Sequence, residues 1–175
     1  MRKRQKAEAE TVGTLFNERA KATQALHTES DRAVVLITAA YLDDALAGLI
    51  RSALIDEPAL VDELLGVDRP LGTFSARIKL AYCLGLISRA TLRDLELIRR
   101  IRNDFAHSRC ILRFGTRGVK ERCMQLRCPL ITAGSVVPDW SDPRVRFIEA
   151  TEWLGNVFQA RDRELSRPRY AADRP

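Results

Sequence analysis

The sequence lacks several features that mark function classes. Its longest apolar run, Ala33 to Leu42, has ten residues and includes Thr38, well short of the roughly 18 to 20 needed to span a bilayer. The basic start Arg2-Lys3-Arg4 is not followed by an apolar stretch, so no signal peptide and no membrane partner is expected. Cysteine is scarce. Cys83, Cys110, Cys123 and Cys128 are expected to be reduced thiols of a cytoplasmic protein. There is no Gly-rich phosphate loop and no Ser/His/Asp arrangement, and no cofactor is implied. Only 6% of residues are aromatic, and Trp140 and Trp153 lack aromatic neighbours in the sequence, which leaves a base-stacking platform without support.

What is present suits one globular domain. With 175 residues, 46% hydrophobic and 30% charged, the chain buries enough surface to fold without disulfide or metal staples. The net charge is +6, and it is concentrated in one place. Residues 99 to 122 hold eight basic side chains against only Asp104 and Glu121, so this window carries the whole imbalance. A patch of this kind attracts polyanions, RNA or DNA above all, or an acidic protein partner. Arg99, Arg109, Arg113, Arg117, Lys120 and Arg122 are its candidate contact residues.

Only helical periodicity is persuasive. Residues 1–27 read as a polar N-terminal helix with a thin stripe of Val12, Leu15, Phe16 and Leu26. Ser30 or Asp31 caps a central, most buried helix running to about Leu54. Pro58 opens a short helix that Gly66 stops. Thr73 caps a helix over Phe74 to Leu84, closed by Gly85 in the left-handed conformation with Leu86 as its apolar partner. Ser88 caps the next helix, to about His107. A short helix follows near Arg117 to Leu126, then a loop with Pro129, Gly134 and Pro138. Asp142-Pro143 starts a long helix with Ile148, Thr151, Leu154, Phe158 and Leu165 on one stripe. Residues 28–166 thus form the body and 167–175 a tail. The expected fold class is all-α, a single-domain bundle of about five to seven helices.

The chemistry-bearing stretch is Leu95 to His107. Leu95, Ile98, Ile101 and Phe105 define its buried stripe. Arg102 lies about 40° from Ile98 on the wheel, inside that stripe, so it is expected to point inward and pair with Asp31, Asp43 or Asp44 of the central helix. Asn103 and His107 fall one turn apart on the outward flank. As a helix-terminal residue, His107 is equally readable as a cap on the last free carbonyls.

Arg102-Asn103-Asp104-Phe105-Ala106-His107 resembles the arginine–polar–histidine signature of HEPN (higher eukaryote and prokaryote nucleotide-binding) domains. Pro70 to Tyr82, Leu84 to Ile87 and Ile98 to Ser108, with Glu29 to Arg32 and Leu42-Asp43, resemble the mannitol operon repressor family over roughly residues 28 to 112. That resemblance implies an all-helical bacterial regulator. The HEPN resemblance implies a metal-independent ribonuclease in which the RNA 2′-OH attacks its adjacent phosphate. His107 would be the acid/base, Arg102 the charge stabiliser and Asn103 the orienter. Arg102 and His107 are about 140° apart on a straight helix, so either the helix loosens before His107 or two copies meet across a two-fold axis. A homodimer is expected, with His107 near the seam if the activity is present.

The leading expectation is a regulator acting through nucleic-acid or protein binding by its basic helix end. The alternatives are the ribonuclease and a non-enzymatic protein-interaction module. A zinc site from His107, Cys110, Cys123 and Cys128 is disfavoured by the spacing of the last two, and no metal is expected.

Overall fold

The structure, a computed structural model, describes Leu26, residues 28–127 and residues 139–165. The rest of the expected N-terminal helix, the Pro129 to Pro138 loop, Cys128 and the tail lie outside the described residues. Among the described residues there are six helices and no strand: α1 (Asp31–Ala53), α2 (Pro58–Leu65), α3 (Phe74–Cys83), α4 (Arg89–His107), α5 (Arg117–Cys123) and α6 (Pro143–Leu165).

Each start and stop has a local cause. The hydroxyls of Ser30, Thr73 and Ser88 accept from the backbone N–H of Ala33, Ala76 and Thr91, capping α1, α3 and α4 and satisfying donors that a helix start leaves orphaned. Pro58 occupies the first turn of α2. α3 ends in a Schellman motif: Gly85 takes φ +69, its N–H reaches Tyr82 O at 3.0 Å, and Leu86 N–H reaches Ala81 O at 2.9 Å.

α1 is the axis of the bundle and packs against α3, α4 and α6. By length and mean hydropathy, 1.8, it could cross a membrane. The apolar stretch that gives this value runs through Asp43 and Asp44, whereas the unbroken apolar run ends at Leu42. Here Val34, Val35, Leu42, Leu46, Leu49 and Ile50 are wholly enclosed by protein, so the apolar face of α1 is the core.

The interior also holds a guanidinium, and it belongs to Arg77. Its Nη1 donates to Asp43 at 2.7 Å, its Nη2 to Leu65 O at 2.8 Å and its Nε to Leu71 O at 3.1 Å. This ties α3 to α1 and to the loop after α2. Every donor direction that leaves water finds an acceptor, the condition for burying this group. Burial pushes the Asp43 carboxyl above its ordinary 3.8, against the opposing hydrogen bond and charge of Arg77 and a weaker pull from Arg102. Asp94 on α4, also buried, is likewise raised by burial against the pull of Arg127.

A second junction joins α1, α6 and the segment between α4 and α5. Asp31 accepts from the Arg144 guanidinium and, at 3.0 Å, from Phe114 N–H. Arg144 also donates to Leu26 O and Glu29 O, and its guanidinium lies 5.8 Å from the Phe114 ring centroid. Phe114 packs between Phe105 and Phe147.

Two stability predictions follow. Arg77→Ala strands Asp43 and should destabilise by about 3–5 kcal/mol, whereas exposed Arg102→Ala should cost no more than about 0.5 kcal/mol; urea unfolding of both variants measures the contrast. Because the folded-state carboxyls of Asp43 and Asp94 are raised above 3.8, the native chain takes up these protons before the unfolded chain does. Their contribution to stability therefore grows as pH falls through the raised values towards 3.8 and is absent at neutrality. Asp94→Asn should flatten that part of the pH dependence of melting.

Candidate functional site

The buried stripe of α4, Leu95, Ile98, Ile101 and Phe105, has no exposed surface and fixes the helix's rotation. Asn103 is then half-buried and His107 exposed, one turn apart on the outward flank as the spacing requires. The His107 ring makes no hydrogen bond among the described residues. The last turn is closed instead by the backbone, with Ser108 N–H on Asp104 O at 2.9 Å.

Arg102 departs from expectation. It is exposed, and its Nη1 donates to Asn103 Oδ1 at 3.1 Å. The wheel position marks where its Cα–Cβ bond leaves the helix, but the long aliphatic stem carries the charge past the edge of the core to water. It forms no ion pair with Asp31, which Arg144 and Phe114 engage, or with Asp43, which Arg77 holds. Asp44 is exposed and likewise does not pair with it. The signal for the buried arginine lay one helix earlier. Phe74, Arg77, Ile78 and Ala81 follow the i, i+3, i+4, i+7 pattern, and Arg77 stands inside it.

Two grooves flank the segment that leaves α4. One, of about 550 Å³, lies between α4 and α5 and is lined by Asn103, Asp104, His107, Thr116 and Arg122 among others. The other, of about 700 Å³, lies against the start of α1 and is lined by Arg32, Arg109, Cys110, Ile111 and Arg113 among others. Ser108 and Leu112 border both, so residues 108–113 are the wall between them. The wall is pinned at both ends. Arg32 Nη2 donates to Ser108 O at 2.8 Å, and Phe114 N–H is held by Asp31. Arg113 N–H donates to Thr116 Oγ1 at 3.1 Å, folding the wall back into α5.

The basic window is less free than its composition implied. Arg99 pairs with Glu96 at 2.8 Å, Arg117 with Glu121 at 3.0 Å, and Arg122 with Asp104. Arg100, Arg109, Arg113 and Lys120 are exposed with no carboxylate partner among the described residues. The Arg122–Asp104 pair spans 18 positions between two helices, and no periodicity in the sequence signals it. Cys110 is exposed, while Cys123 is enclosed and burial pushes its thiol up to about 12, which keeps it protonated and a poor ligand. Among the described residues no group of His, Cys, Asp and Glu is placed to hold a metal ion.

Residues 23–142 match the family described as MtlR, mannitol repressor. Over 47 residues, 27% of this chain, the sequence is 45% identical to the mannitol operon repressors of Escherichia coli K12 and of strain O6:H1. That match spans about a quarter, 24%, of those proteins' length. The fold is similar to that in the X-ray structure of the MtlR–HPr complex from Escherichia coli. The TM-score is 0.64 at 22% identity, covering 79% of this chain and 96% of that one. The family match takes in α1 to α5 and both grooves. The chain therefore belongs to the mannitol repressor family.

Proposed function

We propose that this protein is a cytoplasmic regulator that acts by docking an acidic face of a protein partner on its basic end. The observation that carries this reading is the wall between the grooves. Ile111 is 87% exposed and stands between Arg109 and Arg113, both exposed and without carboxylate partners among the described residues. An apolar anchor flanked by unpaired guanidinia suits a protein surface with an apolar pocket and an acidic rim, where the anchor supplies affinity and the charges supply register and encounter rate. The neutralisation of Arg99, Arg117 and Arg122 by carboxylates favours this over a phosphate-tracking surface, which needs many unpaired cations. The similar Escherichia coli protein is found in a complex with HPr, which makes HPr the first partner to try.

A second reading has its own support. Arg102 touches Asn103, and Asn103 and His107 line one groove, the three residues that a metal-independent ribonuclease of the HEPN kind would use. A homodimer with two His107 rings approaching each other would complete that site.

Titration with Escherichia coli HPr separates these readings. Docking predicts an affinity that weakens as salt rises and a dissociation constant raised at least about tenfold by Arg109→Glu with Arg113→Glu. Binding indifferent to both salt and charge would contradict it, as would duplex DNA held with a log-log salt slope near −5. In excess chelator the ribonuclease reading predicts RNA cleavage that His107→Ala abolishes; intact RNA after long incubation would remove it.

A further inference from the structure

The opposite end of the molecule carries a surface that the docking reading leaves unassigned. α2 is an amphipathic helix with too wide an apolar arc. Val61 and Leu65 are buried, while Leu60 and Leu64, one turn apart, are 59% and 37% exposed. Ile55 before the helix and Val67 after it add 75% and 86% exposure. Four large apolar side chains within thirteen residues exceed the scatter of single exposed residues normal for a surface. The same segment is acidic. Residues 55 to 69 contain Asp56, Glu57, Asp62, Glu63 and Asp68 against Arg69 alone, and all six are exposed.

The two charged ends stand at opposite poles of α1. At its start, Arg32 and Asp31 hold Ser108 and Phe114 of the basic wall. At its end, Arg51 pairs with Asp62 of α2 at 2.6 Å. A helix of 23 residues separates them by about 34 Å. One pole thus offers carboxylates around exposed leucines, and the other offers unpaired arginines around Ile111.

We propose that the α2 pole of one copy docks on the basic pole of a second copy, a head-to-tail contact between unlike surfaces. Charge complementarity selects this occupant. A two-fold pairing of α2 with itself would bring two acidic segments together, and like charges juxtaposed at an interface oppose association. Contact between unlike poles joins opposite charges and covers apolar surface on both sides. Stacked end to end, such an interface does not close at two copies and continues to a ring or a chain. It goes beyond the partner reading, since it assigns a role to α2 and stands whether or not HPr binds.

Sedimentation velocity on the full chain tests it. At low salt the weight-average mass should grow with concentration past that of a dimer, and it should fall back as salt is raised. Leu60→Lys removes one pole at an exposed site outside the core, and Arg109→Glu with Arg113→Glu removes the other. Each variant alone should raise the dissociation constant at least about tenfold, with helical circular dichroism retained. Mixed together they should form a one-to-one pair, because each keeps the pole the other has lost. A chain monomeric at every concentration overturns the proposal. So does a stable dimer, whether it has a two-fold seam elsewhere that is indifferent to Leu60→Lys or is a closed antiparallel pair, and so does a variant mixture that stays monomeric.

Discussion

Asp31 stands where three segments of the chain meet. Its carboxylate accepts from the Arg144 guanidinium at the start of α6 and from the Phe114 amide beyond α4. Through it the first turn of α1 holds the long C-terminal helix and the far end of the wall, while Arg32, one residue on, holds the near end at Ser108. Asp31 and Arg144 are both mostly sheltered, so each leaves an uncompensated charge if the other is removed. The placement of Arg109, Ile111 and Arg113 depends on this node. A segment with so little regular structure, 108–116, holds a defined surface only because its backbone is tied to a helix at each end.

The arginines of this chain divide into two uses. Among the described residues, one group staples backbone carbonyls. Arg77 holds Leu65 O and Leu71 O, Arg146 holds Leu126 O and Trp140 O, Arg161 reaches Leu86 O, and Arg144 takes Leu26 O and Glu29 O. A planar guanidinium with five donors suits this work, since it satisfies several buried acceptors from one rigid group. The other group faces water around the end of α4. The net charge of +6 already counts every carboxylate, and a guanidinium bonded to carbonyls keeps its charge. Around the end of α4, the exposed cations without a carboxylate partner among the described residues are Arg100, Arg102, Arg109, Arg113 and Lys120, a set that suits one protein contact.

Local patterns made the helices legible in the sequence. Ser30, Thr73 and Ser88 each sit at a predicted cap, Gly85 adopts the expected left-handed turn, and the Leu95 to Phe105 stripe is buried where its period places it. Such signals involve residues within a few positions of each other, so they are written in the sequence. The error over Arg102 shows where that reach ends. A wheel gives the direction of a Cβ, and for a side chain as long as arginine the charge can end up elsewhere. The pairs Arg122–Asp104 and Arg144–Asp31 join residues far apart along the chain, and only the packing of α4, α5 and α6 brings them together. The candidate residues were thus partly legible: the spacing of Asn103 and His107 and the basic Arg109 and Arg113 could be read along the chain, whereas the grooves and the bonds that pin the wall could not.

On the docking reading, Asp31 organises the wall that a partner meets. Amide hydrogen exchange across residues 108–116 in wild type and Asp31→Asn, read beside the affinity of each for HPr, tests it most directly. Faster exchange at Phe114, with α3 amides still protected and affinity falling in parallel, is the predicted result. A wall that loosens with no change in affinity would contradict the account, as would affinity lost while the wall stays protected.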